Sequence, residues 1–242
     1  MRRALFLLLI SLLAAVGTSA TAGGAWPRGK GNGFLSVSWT TFGDAVGYVK
    51  EISGPLSEKP ELELTNESAV YAEYGISERL TFGLDSFSRR ESNLSSAILF
   101  IAAALGNLDW KNHYGAQIGY GPVRDWLDRK DSVLRAGLAY GRGYQSPWGD
   151  GWVEVDGKLG WQVDAEERYW KIDSTLGYNA TDRSMLYLQI QSGAGVDGPI
   201  YVRAVPTYVR RFGHGISVES AILLGMQNDN AQGLKLGAWL DF

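Results

Sequence analysis

From Gly33 to the last residue the chain alternates apolar and polar side chains with a period of two, interrupted by polar turns. That period marks β-strands whose two faces meet different surroundings, because successive side chains leave a strand on opposite sides. Leu35, Val37 and Trp39 alternate with Ser36, Ser38 and Thr40. After a long polar stretch, about 43–64, Val70, Ala72 and Tyr74 alternate with Tyr71 and Glu73. The short Ser77-Glu78 turn leads into Leu80, Phe82 and Leu84, set against Thr81, Gly83 and Asp85, which predicts a hairpin. A segment at 96–105 is apolar on both faces and reads as a strand or as a buried helix.

The later strands keep the scheme. Tyr114, Ala116, Ile118 and Tyr120 oppose Gln117 and glycines, and Leu134, Leu138 and Tyr140 oppose Arg135. Val153, Val155, Leu159 and Trp161 oppose Glu154, Asp156 and Lys158; Trp170, Ile172, Leu176 and Tyr178 oppose Lys171 and Asp173. Four more segments set Leu186, Tyr208, Ile222 and Leu236 on faces opposite Gln189, Arg203, Glu219 and Lys235. The pattern predicts one domain of about twelve antiparallel strands, with 10–14 within its tolerance. Two places strain it. Pro206 has no N–H for a ladder, which predicts a bulge or an early strand end. The 141–151 stretch, with Gln145-Ser146-Pro147-Trp148, predicts a long connection.

One face of every predicted strand carries no charge, while the other holds Glu73, Asp85, Arg135, Glu154, Asp156, Lys158, Lys171, Asp173, Arg203, Glu219 and Lys235. A charge at a bilayer midplane costs roughly 2–4 kcal/mol, so the uncharged faces are expected to meet lipid and the charged ones to line a lumen. Mean hydropathy is slightly negative, at -0.12, which fits because a barrel averages its two faces. Aromatics on the apolar faces fall near two levels. Tyr74, Tyr140, Tyr178 and Tyr208 end alternate strands at one interface, and Trp161 and Trp170 stand near the other. Aromatic rings favour headgroup depth, so these read as girdles. The prediction is an all-β, transmembrane, antiparallel up-and-down barrel.

Both ends of the chain carry addresses. Arg2 and Arg3 precede an apolar run, Ala4 to Val16, followed by Ala20-Thr21-Ala22, which reads as a signal peptide over 1–22 cleaved after Ala22. The run is shorter than the roughly 20 residues that a spanning helix needs. At the other end Lys235, Gly237, Leu240 and Phe242 stand in the register of the C-terminal β-signal of barrel proteins. With the alternation, these features resemble Gram-negative outer-membrane β-barrel proteins as a class. The resemblance implies an integral outer-membrane location, contact with outer-membrane lipid, and periplasmic chaperones and the barrel-assembly machinery as partners during biogenesis.

Chemistry is sparse. There is no cysteine, so neither a disulfide nor a thiolate metal site is available. A net charge of -3 offers no electrostatic case for nucleic acid. No cofactor or metal motif stands out: Asp125, Asp128 and Asp131 are interleaved with Arg124, Arg129 and Lys130, which favours a solvated loop. His113 and His214, the only histidines, both fall at the end expected to face the periplasm. The sequence therefore supports a small porin-like channel for passive diffusion, not an enzyme, with weak cation preference expected from the acidic excess. A lipid-modifying barrel enzyme and a filled barrel acting through its outer loops are the alternatives.

Overall fold

In the computed structural model, residues 24–52, 62–125, 128–147, 149–195 and 198–242 are described; the expected signal peptide, 1–22, lies outside them. The strands are β1 (Gly33–Gly43), β2 (Thr65–Gly75), β3 (Leu80–Arg89), β4 (Ser95–Leu105), β5 (Asn112–Arg124) and β6 (Lys130–Ser146). They continue as β7 (Gly149–Gln162), β8 (Arg168–Thr181), β9 (Ser184–Ala194), β10 (Tyr201–Gly213), β11 (Ile216–Gln227) and β12 (Gln232–Asp241). Each pairs antiparallel with its neighbours in sequence, and β1 pairs with β12, so the twelve strands form a closed barrel. One short helix, α1 (Ala45–Ile52), is present among the described residues.

Closure removes every unpaired strand edge. It is sealed where the start of β1 meets the end of β12: the Gly33 amide donates to the Phe242 carbonyl (2.6 Å) and the Phe242 amide to the Gly33 carbonyl (3.0 Å). Following paired residues once around the wall returns to β1 displaced by about 14 residues, which for twelve strands implies a tilt of about 40°. We call the end holding Gly33 and Phe242 the terminal end. The opposite end carries α1 and is called the helix end. The connections at 182–183 and 214–215, at the terminal end, are two residues long, and that end's longest is 106–111; the longest connection, 44–64, is at the helix end.

The two-residue period sorts the wall as physics requires. Exposed Val37, Trp39, Leu99, Ile118, Leu138, Leu176, Leu188, Ile222 and Leu236 point outward, while Glu73, Arg135, Glu154 and Glu219 are buried inside. In the outward register charges occur only at strand ends: Arg124, Lys130 and Arg168 at the helix end, Arg142 and Arg210 at the other.

Three local expectations needed resolving or correcting. The two-sided apolar segment is strand β4, and its inward members Ile98 and Phe100 are buried in the lumen. The long connection expected at 141–151 is absent, because β6 and β7 stay paired through Gly143↔Trp152 and Gly151↔Tyr144 to Ser146↔Gly149. Pro206 does not bulge or end β10. It stays in register opposite Leu188 of β9, while pairing to β11 lapses between Ala204 and Thr207. A proline removes one donor toward one neighbour, and the intact ladder on the other side carries the strand through.

Candidate functional site

The lumen has two halves of different construction. In the terminal half, three inward glutamates, Glu73 on β2, Glu154 on β7 and Glu219 on β11, are buried. Glu219, 1% exposed, accepts from the Tyr187 hydroxyl (2.7 Å), the Lys235 ammonium (2.9 Å) and the Trp239 indole N–H (3.2 Å). Glu73 accepts from the Tyr71 hydroxyl at 2.7 Å and pairs with Arg28. Among them lies a cluster of Phe34, Trp152, Met185, Val209 and Trp239, against which Trp26, Tyr71 and Tyr187 pack. The Phe34 and Trp239 rings meet edge-on at 5.7 Å, and Tyr71 stacks on Phe100 at 5.8 Å. Alternation demands only that inward residues avoid lipid; bulky rings there fill the bore.

The stopper is completed by a stretch that is not part of the wall. Residues 24–32, just ahead of β1, lie within the terminal half. The Ala25 amide donates to Glu154 Oε1 at 3.4 Å, Trp26 packs on the His113 ring at 5.5 Å, and the Arg28 amide donates to Thr81 Oγ1 at 3.2 Å. The Arg28 guanidinium stands 4.4 Å from the centre of the Phe34 ring, a favourable cation–π placement. The segment fits because the wall gives way opposite it. A Cβ at Gly115 would overlap the Gly24 carbonyl oxygen, and one at Gly141 would overlap the Trp26 ring.

The helix half is built from charge. Across β7 and β8 the register sets Asp156 opposite Asp173 and Lys158 opposite Lys171. Like charges directly opposite repel, so each lysine turns to the acid two positions along its own strand: Lys158 to Asp156 at 3.1 Å, Lys171 to Asp173 at 2.9 Å. Among the described residues no ion pair bridges these rows from β7 to β8. Arg135 of β6 reaches past β5 and β4 to Asp85 of β3, its Nη1 2.6 Å from Asp85 Oδ2. Above these groups is a cavity of about 580 Å³ lined by Asp85, Arg135, Lys158, Tyr169, Lys171 and Tyr201, among others. At its rim Arg89 pairs with Glu67 and Arg203 with Asp229, each at 2.7 Å, and both guanidiniums lie within 6 Å of the Phe42 ring centre, at 5.3 and 5.7 Å.

All eleven charged residues named from the sequence point into the barrel, Glu219 and Lys235 as a pair across β11 and β12. Tyr74, Tyr140, Tyr178 and Tyr208 stand on the outward register near the terminal end, and Trp161 and Trp170 near the helix end. Within β12, Lys235 and Gly237 face inward, and Leu240 and Phe242 continue the outward row. His113 and His214 are both at the terminal end; His214 sits in a turn with a φ of 53°. The three loop aspartates are claimed locally. Asp125 pairs with Arg129 (2.6 Å), Asp128 with Arg124 (3.0 Å), and Asp131 accepts from the amides of Ser132, Asp164 and Ala165.

Sequence reasoning missed Trp26, Arg28 and the lumen aromatics. The signal was present for the aromatics: Tyr71, Trp152 and Trp239 share the parity of Glu73, Glu154 and Lys235. For Trp26 and Arg28 it was fainter, a tryptophan and an arginine in a glycine-rich stretch too irregular to be a strand.

No protein-family model matches the chain, and no curated protein does. Among solved structures, an outer membrane channel from Pseudomonas putida F1 aligns with a TM-score of 0.62 at 12% identity, over 93% of this chain and all of that one, 100%. An active-site mutant of outer membrane phospholipase A from Escherichia coli aligns at 0.47 and 12%, over 96% of each chain. The translocator domain of the autotransporter NalP from Neisseria meningitidis aligns at 0.46 and 13%, over 100% of this chain and 97% of that one. At these identities the similarity concerns the fold, and the chain has the closed twelve-stranded architecture found among outer-membrane β-barrels.

Proposed function

We propose that this protein is a channel of the Gram-negative outer membrane that passes small solutes, and that the structure is its closed state. The terminal end faces the periplasm in this reading, since tight turns are usual there and longer loops outside. Lipid meets the uncharged outward wall, with the tyrosine row at headgroup depth. Export follows from a signal peptide cleaved after Ala22. Periplasmic chaperones and the assembly machinery, the latter recognising Lys235, Gly237, Leu240 and Phe242, then insert the barrel.

The observation that carries the proposal is the nature of the block. A charge-lined cavity lies in the helix half, while the terminal half is packed with an aromatic cluster and with residues 24–32, a segment outside the wall. A barrel that had only to be filled would need no such segment. Twelve strands enclose more space than the eight whose side chains fill the bore, and less than the sixteen to eighteen of open porins. A movable plug in a bore of that size suits a narrow gated path.

The test is single-channel recording of the refolded protein in a planar bilayer. Reproducible current steps that become larger or more frequent in Trp26→Ala are expected. A folded protein silent in both forms would reject the channel and favour a filled barrel working through its helix-end loops.

A further inference from the structure

We infer that the helix-end cavity is a binding site for a small organic carboxylate, held by the unpaired edge of the Arg135 guanidinium. The inference deepens the channel proposal by naming a solute class, and it rests on that reading only in placing the cavity on a conduction path.

Arg135 is enclosed, its side chain 7% exposed. Only Nη1 is engaged, by Asp85; Nε and Nη2 are buried and have no hydrogen-bond partner among the described residues. Those two nitrogens form one edge of the planar group, the edge that accepts two oxygens of one anion through parallel hydrogen bonds. Buried donors are nearly always satisfied, so an unpaired edge beside a cavity calls for an acceptor. The wall makes none available there: Arg135 lies opposite Gly119 in register, and the facing strand's acid is spent on Nη1.

The surroundings select the kind of acceptor. Lys158 and Lys171 also line the cavity, as do Arg89 and Arg129, against the acids Asp85, Asp125 and Glu167. Each of these cations already has a carboxylate partner, in Asp156, Asp173, Glu67, Asp125 or Asp85, so an anion is favoured by the unpaired Arg135 edge and not by net charge. The remaining lining includes Phe87, Ile98, Val133, Tyr169 and Tyr201. A space of about 580 Å³ with such walls matches a small molecule with an apolar body and one anionic end better than a bare inorganic ion, because ligand sites combine apolar lining with a few placed polar groups.

The experiment is calorimetric titration of the refolded, detergent-solubilised protein with benzoate, with its neutral counterpart benzamide and with inorganic phosphate. Benzoate should bind, and benzamide and phosphate should bind at least about tenfold more weakly. Arg135→Lys keeps a cation for Asp85 but loses the planar edge; it should weaken benzoate about tenfold while the protein keeps its folded, heat-modifiable gel mobility. Lys171→Gln, at a more exposed position, should weaken it about threefold. Absence of benzoate binding, benzamide or phosphate binding as tightly, or an unchanged affinity in folded Arg135→Lys would each overturn the inference, leaving the edge to water alone. The two proposals fail separately: benzoate binding by a protein silent in bilayers rejects the channel and keeps the site, whereas current without benzoate binding does the reverse.

Discussion

The two halves of the lumen use the same ingredients, carboxylates, cations and aromatic rings, to opposite ends. In the terminal half two of the three buried glutamates are well matched, Glu219 by donors from three side chains and Glu73 by two partners, one of them Arg28 from the plug, while Glu154 has a single amide donor at 3.4 Å. In the helix half the register opposes like charges across β7 and β8, where the lysine pairs run along each strand, and an arginine edge is left over, as is one oxygen each of Asp156 and Asp173. Enclosed charges that are fully satisfied make a rigid, specific core, and those partly satisfied mark places where something else is meant to bind. On the readings proposed above, the first half acts as a stopper and the second as a reception site.

The largest expected effect breaks the terminal half. Glu219→Ala strands the Lys235 ammonium and two further donors in an enclosed site, and removing one member of a buried pair costs about 3–5 kcal/mol. Lys171→Gln, whose side chain is 38% exposed, should cost less than about 1 kcal/mol. Urea unfolding followed by gel mobility compares them; equal costs would erase the distinction between the halves.

Next in size is a change of conduction. Trp26→Ala removes the ring that packs on His113 and on the aromatic cluster, so open events should rise several-fold while the helix-half variants leave gating unchanged. Recording both in one bilayer preparation decides it. Smaller again is selectivity. Lys171→Glu places an acid opposite Lys158 and beside Asp173 on its own strand and should move the reversal potential toward cations under a salt gradient; no movement would mean that ions do not pass this row.

How far the sequence carried the fold follows from what alternation can report. It tells lipid from lumen, so the facing of every strand except β4, which is apolar on both sides, and the approximate strand number were legible. It is silent about what an inward residue touches. Register decides that Asp156 meets Asp173 rather than a lysine; a shift of two residues would have set it opposite Lys171. Curvature decides that Arg135 reaches Asp85 past two strands. Trp26 and Arg28 escaped because their segment has no period at all; their place is set by Glu154, Glu73 and Thr81, which are distant in the chain. The over-reading at Pro206 has the same root, since one missing donor is judged by both neighbours and the sequence shows neither.

The smallest effect lies at the rim of the helix half, in the turn joining β3 to β4. There the Asn66 side-chain amide donates to Glu91 Oε1 at 2.8 Å and the Asn66 backbone amide to Oε2 at 2.9 Å. The side-chain bond first, then the backbone bond, holds the Glu91 carboxyl below the ordinary glutamate range. A depressed folded-state value means that the contact favours the folded rim above the unfolded pKa and is lost as pH falls through the folded one. Asn66→Ala should therefore raise the Glu91 midpoint, followed by carboxyl-carbon NMR, without altering benzoate affinity or conductance, because Glu91 is not among the residues lining the cavity. A linked change in either would show that the rim and the charged rows beneath it act as one unit, and would place the boundary between the halves deeper than the ion pairs do.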